Sequence, residues 1–163
     1  PSDFYDLIIL NAVIEHLVDP RLLLERLHGL LRPAGHLFIA TFNTDCWDFR
    51  VMGRYWGGLH IPRHTCLFDD RNLVKLLEDS GYRVKDVGFS ASPIGWALSI
   101  QNSLSRRFEV IRRNGRAIFY FPLLAAFLPV ALLQKFLSKT AIMVMMAETT
   151  EVCSRSKTEF PGS

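Results

Sequence analysis

The chain has 163 residues, 49% of them hydrophobic and 21% charged, with a formal net charge of +3. That length and balance support one globular domain with a real core and exclude a disordered or low-complexity segment. So mild a charge is no footprint for nucleic acid, although Arg106, Arg107, Arg112, Arg113 and Arg116 form a local basic cluster.

Cys46, Cys66 and Cys153 are widely spaced and contain no CxxC pair, which predicts free thiols in a reducing compartment. No signal-peptide succession opens the chain. It enters a strand within a few residues of Pro1, and this predicts that a further segment of a longer protein precedes it.

In chain order, residues 7–10 form an apolar run that ends in a polar step at Asn11, as a buried parallel strand does. Asp19 is placed to accept from the open amides of a helix over 20–31, with Pro20 in its first turn. Leu22, Leu23, Leu24, Leu27, Leu30 and Leu31 make the apolar stripe of that helix. Arg32-Pro33-Ala34-Gly35 stops it, and 36–41 reads as a second buried strand, completing a βαβ unit with a right-handed crossover. Ligands in such sheets sit beyond the carboxyl ends of strands, so 11–16 lies where chemistry is done. As almost the first element, the opening strand is expected to present an unpaired edge.

Residues 46–67 mix Trp47, Phe49, Tyr55 and Trp56 with Gly53, Gly57, Gly58 and Pro62, the composition of a lid made of loop and short helix. Asp69 or Asp70 caps a helix whose Leu73, Val74, Leu76 and Leu77 point inward, and Gly81 ends it. A third strand follows over 82–89. From Ser90 the pattern changes: 92–113 carries Ile94, Trp96, Leu98, Ile100 and Leu104, and 117–134 has no charge at all. A last strand is expected over 140–147 and a frayed polar tail over 148–163.

As one straight helix, 117–134 would span about 27 Å, short of a ~30 Å hydrocarbon core, and Pro122 and Pro129 are expected to kink it. Arg112, Arg113 and Arg116 precede it, and Lys135 and Lys139 follow. The stretch therefore reads as peripheral contact with a membrane surface, or as a greasy cover over a pocket, rather than as a span.

The succession Asp6-Leu-Ile-Ile-Leu-Asn-Ala-Val-Ile-Glu-His16, Asp19-Pro20, Leu30-Leu-Arg-Pro-Ala-Gly35 and His36-Leu-Phe-Ile-Ala-Thr-Phe-Asn43 resembles the second half of class I S-adenosylmethionine-dependent methyltransferases. Most members write Pro-Gly-Gly where this chain has Pro33-Ala34-Gly35. The stretches Tyr55-Trp56-Gly57-Gly58-Leu59, Pro62-Arg63-His64, Leu67-Phe68 and Gly81-Tyr82 are similar to a subgroup that includes ubiquinone-biosynthesis-type and glycan-cluster methyltransferases. The resemblance covers 4–89 well and 140–147 more loosely.

The resemblance implies an α/β fold: the C-terminal half of a Rossmann-like methyltransferase sheet, with its fourth to seventh strands in 1–89 and 140–148. The 140–147 strand would be inserted antiparallel, after a largely helical apolar insertion over 90–139, and 149–163 would be a polar tail. The family's glycine-rich loop and ribose-binding acid would lie upstream, and no G-x-G-x-x-G occurs in this sequence. The implied activity is methyl transfer from S-adenosylmethionine to a small acceptor, on oxygen. The apolar insertion alone adds the expectation of a lipid-linked acceptor and of a cytoplasmic protein with peripheral contact at the inner face of a membrane, and the mild charge that of no nucleic-acid partner.

Asn11, Ala12 and Val13 match the end of the family's fourth strand, beside the methionine part of the cofactor. His16 is expected to act as base for a hydroxyl acceptor, because imidazole titrates near working pH. Glu15 would orient it or hold the acceptor hydroxyl. Tyr55, Trp56, Arg63 and His64 would close over the acceptor. Each also has a plainer reading: a strand terminator at Asn11, a helix-start acid and histidine, and an aromatic loop packing on itself. His60, His64 and Cys66 spell H-x3-H-x-C, but Pro62 interrupts any helix that would align them and no fourth ligand follows by spacing, so no metal is expected. Two other readings are a nicotinamide-dependent oxidoreductase of similar fold and a membrane-surface interaction module without chemistry of its own.

Overall fold

The computed structural model describes residues 4–60, 62–105, 112–113, 116–117 and 119–150. In chain order the elements are β1 (Tyr5–Asn11), a 3₁₀ turn (Ile14–His16), α1 (Pro20–His28), β2 (Leu31–Phe42), α2 (Trp47–Met52), a second 3₁₀ turn (Gly53–Tyr55) and α3 (Asp70–Asp79). There follow β3 (Tyr82–Ser90), α4 (Ile94–Ser105), the short pair β4 (Arg112–Arg113) and β5 (Arg116–Ala117), α5 (Tyr120–Phe136) and β6 (Ile142–Thr149). The main sheet has the order β1-β2-β6-β3; β1 and β2 are parallel, and β6 runs antiparallel to both its neighbours. This is the α/β arrangement expected of the later strands of a Rossmann-like methyltransferase sheet, with the last strand inserted antiparallel.

Period-two alternation decides the core. Leu37 and Ile39 of β2 and Met143, Met145 and Ala147 of β6 turn one way and are buried with Leu24 of α1 and Leu73 and Leu77 of α3. Tyr82 adds its ring to this core and donates its hydroxyl to Leu24 O at 2.9 Å, tying β3 to α1. The apolar run of β1 is covered on one face only. Ile8 and Leu10 join the core, whereas Leu7 and Ile9 are 48% and 58% exposed.

Capping follows the side-chain chemistry. Asp19 Oδ1 accepts from Leu22 N (3.0 Å) with Pro20 opening α1, and Asp69 Oδ1 accepts from Asn72 N (2.7 Å) at the start of α3. Helix α1 stops at His28, three residues before its leucine stripe ends, because Leu31 belongs to β2, paired with Tyr5. The turn at 32–35 is a bulge inside β2: two steps along β1, from Tyr5 to Leu7, face five along β2, from Leu31 to His36. Ala34 carries φ +59° there, so alanine bears a left-handed strain of about 1–2 kcal/mol at the place where most resembling sequences have glycine. A Cβ on Gly35 would meet Arg32 O at 2.8 Å.

The apolar segment forms α5, one 17-residue helix with Pro122 in its first turn and Pro129 inside. A proline in the first turn removes an amide that has no helical acceptor anyway. Among the described residues no helix is long and apolar enough to cross a membrane. At the other end, Glu148 and Thr149 are not frayed but complete β6; Lys85 reaches Glu148 at 3.1 Å and Arg83 Nε donates to it at 2.8 Å. The rest of the polar tail, 151–163, and Arg106 and Arg107 lie outside the described residues. Cys46 and Cys66 are free thiols, and burial, reinforced by Asp48, pushes the Cys46 thiol far above its ordinary range; Cys153 lies outside the described residues.

Candidate functional site

Strands β1, β2 and β3 point the same way, so Asn11, Phe42 and Ser90 share one end of the sheet. At that end Ala12 takes φ +52°, with its amide donating to Ala40 O at 2.9 Å. This sharp departure from β1 leaves Asn11, Ala12 and Val13 exposed and drives Ile14 and Glu15 into the interior. A second segment is stapled onto the turn. Thr65 N and Cys66 N both donate to Glu15 O (2.9 and 3.1 Å), and Thr65 Oγ1 donates to Leu17 O at 2.8 Å.

The staple brings histidines together from residues far apart in sequence. His16 Nδ1 lies 2.9 Å from Arg63 O, and His64 Nδ1 lies 2.7 Å from Gly58 O. A carbonyl only accepts, so each Nδ1 carries the proton and each neutral ring keeps its lone pair on Nε2. The two rings meet edge to face at 4.8 Å. Beneath them Glu15 is 1% exposed; Thr41 Oγ1 donates to its Oε2 at 2.8 Å, while Oε1 has no partner among the described residues. Donor atoms of Glu15, His16 and His64 all lie within 4.8 Å of one another. The arrangement offers a proton-accepting nitrogen, a second one beside it, and a buried carboxylate with an unused oxygen.

The stretch 46–67, expected as a lid, consists of α2, the second 3₁₀ turn and the loop that follows. It brings only some of the expected acceptor residues to the histidines. His64 is there, with Phe42 at 5.2 Å from its ring, and Arg63 contributes its carbonyl while its side chain is exposed. Trp56 is 1% exposed, donates Nε1 to Asp48 Oδ2 at 2.9 Å and packs on Phe42 and Phe49, so its ring stands inside this segment. Tyr55 is anchored from α4, where Asn102 Nδ2 donates to its carbonyl at 3.3 Å. His60 stacks on His64 at 5.4 Å, but Cys66 donates to Leu17 O (3.3 Å), so the histidine–cysteine spacing does not converge. Sequence reasoning missed Thr41, a polar residue near the carboxyl end of β2, and Asp48, an acid buried within an aromatic stretch. Two open clefts of about 660 and 510 Å³ flank α3 and share Asp70, Arg71 and Lys139; Glu15, His16 and His64 line neither.

His60 gives the histidine group a pH signature. Its imidazole is held below its ordinary value, first by desolvation and then by His64, Arg63 and His16. The unfolded chain therefore binds more protons than the folded one near that range. The contribution is present above the ordinary histidine pKa of about 6.5 and is lost as pH falls through it toward the lower folded value. Urea midpoints measured from pH 8 to pH 5 should fall less steeply for His60→Asn, a residue that tolerates the φ of +38° at this position; an unchanged slope would remove His60 from the acid response.

Residues 1–87 match the sequence family described as "Methyltransferase domain". The chain belongs to that family. A curated relative, ubiquinone biosynthesis O-methyltransferase of Parvibaculum lavamentivorans, is 34% identical over 107 residues, covering 60% of this chain and 42% of the relative. The chain thus spans about half the length of the curated relatives that it matches across most of its own length, 42% of one and 49% of another. Among solved structures, Burkholderia thailandensis 1,6-didemethyltoxoflavin-N1-methyltransferase, with bound 1,6-didemethyltoxoflavin and S-adenosylhomocysteine, superposes with a TM-score of 0.50 at 18% identity, over 93% of this chain and 46% of that one. The [4+2]-cyclase SpnF superposes with a TM-score of 0.51 at 15% identity, over 91% and 51%. These likenesses establish the Rossmann-like methyltransferase fold. The cyclase shows that the fold alone does not fix the reaction.

Proposed function

We propose that this methyltransferase-domain chain forms the acceptor side of an enzyme that transfers a methyl group from S-adenosylmethionine to a hydroxyl of a small or lipid-linked acceptor. The observation that carries the reading is the tautomer of His16: with Nδ1 committed to Arg63 O, its Nε2 is left at the sheet's ligand end to take a hydroxyl proton. The names of the curated relatives, O-methyltransferases of ubiquinone biosynthesis, favour oxygen and a lipid-tailed acceptor.

The residues fit one wall of the cofactor. Asn11, Ala12 and Val13 are exposed where the chain leaves β1, with no side chain larger than valine or asparagine to block approach. When bound, S-adenosylmethionine supplies an electrophilic methyl on a sulfonium. The chain's own residues do the rest: His16 accepts the acceptor proton at Nε2, Glu15 holds charge beneath it, and His64 and Phe42 bound the space in which the hydroxyl is aligned. Tyr55 and Arg63 would contact the acceptor from the lid, and Trp56 fixes that lid. Peripheral contact of 117–134 with a membrane would bring a lipid-tailed acceptor to this face.

The test uses the full enzyme with methyl-labelled S-adenosylmethionine and two acceptor sets, hydroxylated aromatics with and without an isoprenoid tail, and matched amines. Label on the hydroxyl, with a preference for the tailed substrate, is the expected result. Label on amines alone would overturn the oxygen reading. A second reading, a divalent cation between Glu15, His16 and His64, is favoured by the unpartnered Glu15 Oε1 and by the two carbonyl-oriented rings. Metal-bound ligands stand about 3.3 Å apart in a tetrahedral site, so the trio would have to close inward. Equilibrium dialysis against zinc and manganese separates the two readings.

A further inference from the structure

A buried polar chain joins the lid to the apolar helix. Asp48 of α2 is 1% exposed; its Oδ2 accepts from Trp56 Nε1 (2.9 Å) and its Oδ1 from Gln134 Nε2 (3.3 Å). Gln134 of α5, 2% exposed, accepts in turn from Trp96 Nε1 of α4 (2.9 Å) and donates to Lys139 O (2.9 Å). Trp96 stacks on Phe127 of α5, with ring centres 5.1 Å apart. At the other end Trp56 sets its ring edge-on against Phe42 at 5.8 Å, and Phe42 is the ring that meets His64. One link of this chain is tightly packed: a Cβ on Gly95 would lie 2.1 Å from Asp48 Oδ2. A carboxylate buried among neutral donors is tolerated only while each donor stays in place.

The outer side of α5 has the opposite character. Phe121, Leu128, Leu132, Leu133 and Phe136 are 46–85% exposed, and Lys135 is exposed beside them. By sequence the segment that carries the helix is basic: residues 87–147 contain seven arginines and lysines against one acid, Glu109, and of the two lysines Lys135 is exposed while Lys139 pairs with Asp45. An apolar helix face within a basic segment is complementary to a surface of anionic lipid headgroups.

We infer that seating α5 on an anionic lipid surface sets the acceptor lid, through Gln134, Asp48 and Trp56 to the Phe42–His64 rings. The inference rests on the membrane contact in the proposed function and adds its regulatory consequence. Docking holds α5 against α4, which fixes Gln134. A fixed Gln134 fixes Asp48 and hence Trp56, and the lid then closes over the histidines when a lipid-tailed acceptor is at hand. The surface can shift the lid only because it binds α5 better in the seated arrangement.

Fluorotryptophan labelling of the chain gives three fluorine NMR signals, from Trp47, Trp56 and Trp96. The chain is titrated with bicelles of phosphatidylcholine alone or with phosphatidylglycerol, and binding is scored separately by co-elution. The expected result is binding to the anionic bicelles with shifts of both the Trp96 and the Trp56 signals. In Gln134→Met, which keeps length and removes the amide, binding and the Trp96 shift should persist while the Trp56 shift is lost. Binding without a Trp56 shift in the unsubstituted chain overturns the inference alone, whether or not the variant folds. An equal Trp56 shift in Gln134→Met overturns it as well. Absence of binding removes the membrane reading and this inference with it.

Discussion

Gly95→Ala, at the start of α4, should cost the chain about 2–4 kcal/mol of stability. The new Cβ would stand 2.1 Å from Asp48 Oδ2 and 3.0 Å from Ala141 Cβ. A carboxylate oxygen at the end of a flexible exposed chain would swing away cheaply. Here the side chain is short and buried, and both its oxygens are engaged by Trp56 and Gln134. Moving it forfeits two hydrogen bonds to a charged group, each worth about 1.5–3 kcal/mol, or forces α4 off α2 at an overpacking cost of about 1–3 kcal/mol. Gly29→Ala is the control: its backbone is right-handed (φ −71°, ψ −8°) and the new Cβ would meet only Arg26 O, at an ordinary 3.7 Å, so a change within about 0.5 kcal/mol is expected. Urea denaturation followed by tryptophan emission measures both. Equal midpoints for the two variants would show that the Asp48 contact is loose.

The difference between those glycines also shows what a one-dimensional reading can and cannot reach. Strands, caps and helix stops were legible because each is a local matter: Asp19 and Asp69 accept from amides three residues away, and the alternation of β2 and β6 is written in Leu37, Ile39, Met143 and Met145. The end of β1 could be marked as a candidate ligand site from strand direction alone. What stayed hidden depends on residues far apart in sequence. Nothing near Asp48 in sequence announces Gln134, 86 residues later, as the donor that lets a carboxylate sit inside. Trp56 reads as a lid aromatic, and only its bond to that buried acid turns it inward. The exposure of Leu7 and Ile9 is the converse case. The run is apolar on both faces, as strands between two layers are, yet among the described residues only one face is covered.

His16→Ala in the full enzyme should lower kcat by about two to four orders of magnitude, the range supplied by a positioned general base, and leave the affinity for S-adenosylmethionine unchanged. The split follows from geometry. His16 is held through Nδ1 by Arg63 O, on the proposed acceptor side, whereas the cofactor wall proposed above, Asn11, Ala12 and Val13, lies on the preceding turn. Rate should recover in part above the pKa of the acceptor hydroxyl, because an ionised oxygen needs no base; a merely structural histidine would give no such recovery. Glu15→Gln should cost less. Its Oε2 position can still accept from Thr41, and only the charge beneath the histidines is lost. A cation at this site would invert that order, since Glu15 would then be a ligand with a free oxygen and its amide a poor substitute. Near-equal loss in Glu15→Gln and His16→Ala, with a fall in wild-type rate on chelation, would therefore replace the base with a metal. Wild-type turnover in His16→Ala would remove the residue from both mechanisms.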